Sequence, residues 1–204
     1  VTVAAGQRLA TNARTRTTQI AQEGAPAPAE DPAPLPTAPP RSKPTAAAPR
    51  WATWSERVRA GDFTGVVSEA ERGPLAATLV RADEETLTAL ADAARYTRHE
   101  SLATRALETL RRRFPRGASA RDAAFHLGRL EEARHGPGAR AIAWYDRYLR
   151  EAPDGTFAAQ ALARKVDAVA RTAGPAQARA LAEEYLARFP DGAFAATARA
   201  LIAR

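Results

Sequence analysis

From Trp51 to Arg204, alanine and leucine recur with a period near 3.6 residues, and arginines and acids fill the positions between them. That period predicts amphipathic helices. It places them near 51–60, 63–72, 83–96, 99–114, 119–134, 138–151, 157–172, 176–188 and 194–203. Glycine and proline fall mainly between these segments, and three of the breaks repeat. Leu110 leads to Phe114-Pro115-Arg116-Gly117, with Ala120 and Ala123 beyond. Tyr148 leads to Ala152-Pro153-Asp154-Gly155, with Phe157, Ala158 and Ala161. Tyr185 leads to Phe189-Pro190-Asp191-Gly192, with Phe194, Ala195 and Ala198. The three prolines stand 38 and then 37 residues apart, an internal period that indicates a helical solenoid. Each proline stops the preceding helix, because it lacks an amide proton and its ring clashes with the carbonyl four residues back. The Asp-Gly that follows predicts a turn whose aspartate caps the next helix. Gly136-Pro137-Gly138 and Gly174-Pro175 supply a second break inside each unit.

The pattern changes upstream. Val1 and Val3 alternate ahead of Gly6, and Leu9 and a Thr-rich stretch run to Ile20. That is a strand–turn–strand signal over residues 1–22. Residues 23–50 hold nine of the fifteen prolines, interleaved with alanine. They predict a disordered, semi-rigid extended linker of about 3.1 Å per residue where it is polyproline-like. A ligand for a proline-reading domain is the alternative. The chain therefore divides into a β remnant (1–22), a linker (23–50) and a helical domain (51–204).

Composition narrows the chemistry. There is no cysteine, which excludes disulfides, thiolate metal sites and cysteine nucleophiles. There is no methionine either, and the chain opens at Val1. We therefore expect a fragment or processed form whose signal or anchor, if any, lies upstream. The net charge of +7 is carried almost wholly by arginine, the lysines being Lys43 and Lys165, and it forms no polybasic block. No apolar run approaches the roughly 20 residues that span a bilayer.

Candidate catalytic groups are sparse. His126 and His135 are nine residues apart on one predicted helix, too far for a metal-binding pair, and with His99 they read as capping or surface positions. Serines lie in no nucleophile elbow, and no glycine-rich phosphate loop follows a strand. Glu131-Glu132, Glu183-Glu184 and Asp83-Glu84-Glu85 are neighbours about 100° apart around a helix, so they read as solvated faces. Arg111-Arg112-Arg113 allows two readings: a contact for a phosphate or acidic partner, or cations offsetting a helix dipole ahead of Pro115. Trp144, Tyr145, Tyr148, Tyr185, Phe157 and Phe194 read as core, and Trp51 and Trp54 as a seal on the first helix pair. We expect no catalytic residue, cofactor or metal.

The segment from Arg121 resembles a tetratricopeptide repeat. It carries Leu127-Gly128, Ala141, Tyr145, Tyr148 and Pro153 at that family's spacing, with one residue inserted near Gly136 and Tyr148 where alanine is usual. The next unit repeats Ala178, Tyr185 and Pro190 without the Leu-Gly pair. The Tyr-Leu-x-x-Phe-Pro-Asp-Gly-x-Phe-Ala form is similar to repeats of bacterial envelope proteins. Val1 to Leu9 looks like the last strands of a FecR-type domain. The resemblance implies a right-handed α–α superhelix in which the first helix of each pair lines a concave groove. Carried over by position, that stripe is Glu85, Thr88, Asp92 and Arg95, then Asp122, Phe125, Arg129 and Glu132, then Gln160 and Asp167. In it Phe125 would be an exposed aromatic flanked by both charge signs, with Ala163 and Ala170 leaving room beside it, which suits a peptide. The implied function is a non-catalytic protein–protein interaction or scaffold module. It would belong to a protein of the bacterial periplasm or cell envelope, bind a protein or peptide partner and not nucleic acid, and have no membrane insertion in these residues. The alternative is the sensing or regulatory part of a FecR-type sigma-factor regulator.

Overall fold

Alanine-rich helices pack closely because their small side chains let backbones approach, and this fold is built on that rule. The computed structural model describes residues 7–11, 18–22 and 53–203. The chain divides into two units, Val1–Ala46 and Ala47–Arg204. In the first, β1 (Gln7–Thr11) pairs antiparallel with β2 (Thr18–Gln22), Gln7 opposite Gln22 and Thr11 opposite Thr18. The expected strand at Val1 and Val3, the Gly6 turn, the whole linker 23–50 and Trp51 lie outside the described residues.

The second unit is all helix among its described residues. Its elements are α1 (Trp54–Arg59), α2 (Phe63–Arg72), α3 (Leu75–Arg81), α4 (Glu84–Tyr96), α5 (Glu100–Arg113), α6 (Ala118–His135), α7 (Ala139–Glu151), α8 (Ala158–Thr172), α9 (Pro175–Arg188) and α10 (Ala195–Ile202). Periodicity anticipates nine of them and misses α3. That helix is seven residues long and buries only Thr78 and Leu79. Its last carbonyls find their donor far away in sequence: Arg113 on α5 donates to Leu79 O at 2.9 Å and also to Ala82 O.

Local chemistry accounts for the helix ends. Asp62 and Asp83 cap α2 and α4 by accepting from Gly65 N (2.9 Å) and Thr86 N (2.8 Å). Pro175 is the first residue of α9, where its missing N–H costs nothing. The breaks inside the last two helix pairs turn on Gly136 (φ 77°) and Gly174 (φ 101°), conformations that a Cβ disfavours.

From α5 onward each helix packs mainly on the one before and the one after it, whereas α4 packs on α1, α2 and α5. The buried side chains fall into three successive clusters. The first joins α1–α5 to α6 around Trp54, Leu87, Leu90 and Leu107. The second joins α6, α7 and α8 around Phe125, Tyr145 and Tyr148. The third joins α8, α9 and α10 around Leu162, Val166 and Tyr185. Ala163 and Ala170 are partly buried and pack against this third cluster.

Between pairs, the expected aspartate caps are absent. Neither α8 nor α10 has a side-chain cap at its start. A tyrosine hydroxyl does this work instead. Tyr148 Oη accepts from Phe157 N at 2.9 Å, and Tyr185 Oη accepts from Phe194 N at 3.2 Å. Gly155 and Gly192 leave room for the hydroxyls: a Cβ there would lie 2.4 Å from Tyr148 Oη and 2.3 Å from Tyr185 Oη. The aspartate that sequence chemistry favours sits too early in the turn to reach those amides.

The first break, with Leu110 in the tyrosine position, is closed by arginine. Arg111 donates to Ala120 O (2.5 Å) and grips both carboxylate oxygens of Glu151 (2.9 and 2.7 Å). Arg112 donates to Thr109 Oγ1 at 3.1 Å. Arg111 and Arg113 of the arginine run are thus engaged inside the fold, one pairing with Glu151 and the other capping α3.

The tyrosine closure predicts coupled mutants. Tyr148→Phe removes the acceptor of a partly buried N–H and should cost about 1–2 kcal/mol. Gly155→Ala should cost about 1–3 kcal/mol through crowding in the wild type, and clearly less in the Tyr148→Phe background, where the hydroxyl is gone. Urea denaturation of the two single variants and the double variant measures this coupling. Additive costs would contradict the assigned contact.

Candidate functional site

The side chains of α4 and α6 that face one another are largely charged, and no described helix covers them. They line two adjoining clefts. The larger, of about 860 Å³, is walled by Asp92, Arg95, Tyr96, Arg98, Glu100, His126, Arg129 and Leu130, with Val58 and Phe63 at one side. The smaller, of about 380 Å³, runs on to Thr88, Ser119, Asp122, Phe157 and Gln160. Asp92, Arg95, His126 and Arg129 belong to both, so the two form one trough across α4, α6 and the start of α8.

Of the stripe expected from sequence, the trough gathers Thr88, Asp92, Arg95, Asp122, Phe125, Arg129 and Gln160. Glu85 lies in a neighbouring depression, paired with Arg59 at 2.5 Å. Two other members are placed elsewhere. Glu132 accepts from Tyr145 Oη (2.6 Å) and from Arg164 (2.9 Å), tying α6 to α7 and α8. Asp167 pairs with Arg171 one turn along its own helix and lines neither cleft.

Phe125 requires a correction. It is 1% exposed and stacks on Phe157 at 4.6 Å with the rings nearly parallel, flanked by Tyr145 and Tyr148. It forms the floor of the trough and is not an exposed aromatic. The cause is the turn before α8, which folds Phe157 over it. The glutamates expected on solvated faces also differ. Glu131 holds His135 (3.1 Å) and Arg140 (3.4 Å), and it is mostly buried, as is Glu132. Glu183 and Glu184 do face solvent, paired one turn away with Arg179 and Arg188.

His126 is the residue that sequence reasoning misplaced. It is half-buried in the trough, edge-on to Phe125 (5.4 Å) and Phe157 (5.0 Å), and its Nδ1 is buried without a hydrogen-bond partner. The signal was in the sequence: Asp122, His126 and Arg129 fall at i, i+4 and i+7, one helical face. The stripe through 122, 125, 129 and 132 was drawn slightly rotated from it.

The electrostatics follow from crowding. Asp92 and Arg95 form an ion pair at 2.6 Å. Burial pushes the Asp92 carboxyl above its ordinary value, against the pull of Arg95. Burial likewise lowers Arg95, with Asp92 opposing and Arg129 adding repulsion. Burial also raises Asp122. His126 is pushed down to about 3, first by burial and then by Arg95 and Arg129, so its imidazole is neutral near pH 7. At the rim, Tyr96 is 74% exposed and stacks on Phe63 at 4.2 Å.

Among the described residues no group of three or more histidine, aspartate or glutamate side chains is arranged to hold a metal ion. No described helix is long and apolar enough to cross a membrane. A scan of protein-family models finds no match to this chain, and a search of curated proteins finds none either.

The His126 environment predicts an acid-sensitive fold. A base held below its ordinary value of 6.5 favours folding while neutral. Its contribution is complete above pH 6.5 and is lost as pH falls toward 3. The unfolded chain binds the extra proton in that window. At about 1.4 kcal/mol per unit, His126→Gln should gain about 2 kcal/mol relative to the wild type between pH 7 and 4.5. Urea melts at the two pH values read this difference, and a constant offset would refute the assignment.

Proposed function

We propose that the helical unit is a non-catalytic protein–protein interaction module that binds an extended peptide segment of a partner in the α4–α6–α8 trough. The carrying observation is the trough itself. It is open and of mixed charge, and it is formed by alternate helices, each contributing one face. A trough of this kind suits a chain with its own backbone donors and acceptors better than it suits a compact substrate.

Helix pairs packed in series, a shared turn every 37–38 residues and the close approach of Gly128 to Tyr145 support a right-handed tetratricopeptide-type superhelix. A Cβ at Gly128 would lie 2.6 Å from the Tyr145 ring. This is where that family keeps its Leu-Gly pair. The same likeness, in the Tyr-Leu-x-x-Phe-Pro-Asp-Gly-x-Phe-Ala form, supports a place in the bacterial periplasm or cell envelope. In this reading the module acts as a scaffold, with neither cofactor nor catalytic residue.

Selection of a displayed random-peptide library on the full chain should enrich binders. Gln160→Trp, an exposed substitution that obstructs the trough at α8, should weaken the enriched peptides at least about tenfold, or roughly 1.4 kcal/mol. Arg150→Trp, exposed on α7, should leave them unchanged. Failure to enrich any peptide, or equal binding by Gln160→Trp, would sink the groove assignment.

A further inference from the structure

The charges in the larger cleft are unevenly matched. Its carboxylates already have partners: Asp92 is held by Arg95 at 2.6 Å, and Glu100 lies 3.7 Å from Arg134. Arg98 and Arg129 make no ion pair among the described residues. Arg129 also repels Arg95 across the cleft, a cost that is felt where burial thins the water between them. The site thus holds two cations without an ion-pair partner among the described residues, beside a neutral imidazole.

Arg98 is placed there at a conformational cost. It is the one non-glycine among the described residues with positive φ (61°), just past the end of α4, where glycine is the usual choice. Substituting arginine at such a position puts a guanidinium at the cleft mouth. Beside it the exposed Tyr96 ring, backed by Phe63, offers a flat apolar face.

We propose that this end of the trough takes an acidic peptide segment of a partner protein, its carboxylates held by Arg98 and Arg129 and an adjacent aromatic or apolar side chain lying on the Tyr96–Phe63 pair. This rests on the peptide-groove reading above and specifies the occupant's chemistry. Arginine forks bind carboxylates in two-point geometry. Single-stranded nucleic acid would also find cations and a stacking face. Asp92, Glu100 and Asp122 line the same trough, however, and would repel a chain with a phosphate at every residue. A peptide offers those carboxylates backbone N–H groups.

The test uses fluorescence anisotropy on the full chain at low salt. The probes are a labelled short peptide of Asp and Glu around one Phe, and its Asn/Gln twin. The acidic probe should bind at least about tenfold tighter than the twin. Arg129→Glu and Arg98→Glu should each weaken it about tenfold. Arg98→Gly, which eases the backbone while removing the charge, should weaken it as well, so a loss cannot be ascribed to misfolding. Arg105→Glu, exposed on α5 and outside the cleft, should not.

Equal affinity for the two probes, or wild-type affinity in both Arg98→Gly and Arg129→Glu, overturns the proposal. Displacement of the acidic probe by equimolar oligo-dT overturns it in favour of nucleic acid. If the library-selected peptides still bind and Gln160→Trp still blocks them while the acidic probe does not bind, the acidic preference alone fails. If no selected peptide binds either, the groove reading fails with it.

Discussion

At the last two inter-pair turns a tyrosine hydroxyl lodged against a glycine sets how one helix pair follows the next. At each inter-pair turn the chain must change direction after a proline and start a new helix whose first amides have no partner. Tyr148 and Tyr185 solve this from the preceding helix, each accepting the N–H of the phenylalanine that begins the next. The glycine between is needed for space and not for a left-handed backbone, since any Cβ would strike the hydroxyl. Because the tyrosine ring is also core, one side chain fixes both the packing of its own pair and the entry of the following one. The trough depends on this, because Phe157, set in place by Tyr148, covers Phe125 and closes the trough floor.

The arginines divide by role according to where the helices place them. Arg111 and Arg113 stand at the end of α5, where neighbouring carbonyls and Glu151 need donors, and they are drawn into the fold. Arg95, Arg98 and Arg129 face the trough, where among the described residues only Asp92 pairs with one of them, Arg95. These arginines are therefore of two kinds. One part is structural and satisfied. The other is left facing the open trough, where a ligand could reach it.

Adjacent acids show how little a sequence neighbour relation says about environment. Glu131 and Glu132 look like one solvated face, yet each is mostly buried, Glu131 held by Arg140 of α7 and Glu132 by Tyr145 of α7 and Arg164 of α8. Glu183 and Glu184, the same pair of letters, lie in solvent. The difference is whether a following helix packs over that turn. Periodicity within a single segment carries no information on that point.

Periodicity, proline spacing and glycine placement determined the helical class, nine of the ten helices among the described residues and the spacing of the repeated turn, because these depend on interactions local in sequence. The stripe implied by the tetratricopeptide resemblance included much of the trough, with Asp92, Arg95, Asp122, Arg129 and Gln160 all lining it. Tertiary packing alone decided the rest. It made Phe125 a floor, turned Glu132 toward Tyr145, moved His126 into the site and stabilised α3 through Arg113. Each of these outcomes rests on a partner distant in sequence or on a rotation of a few tens of degrees about a helix axis, and such a rotation is fixed by the neighbouring core and not by the helix's own residues.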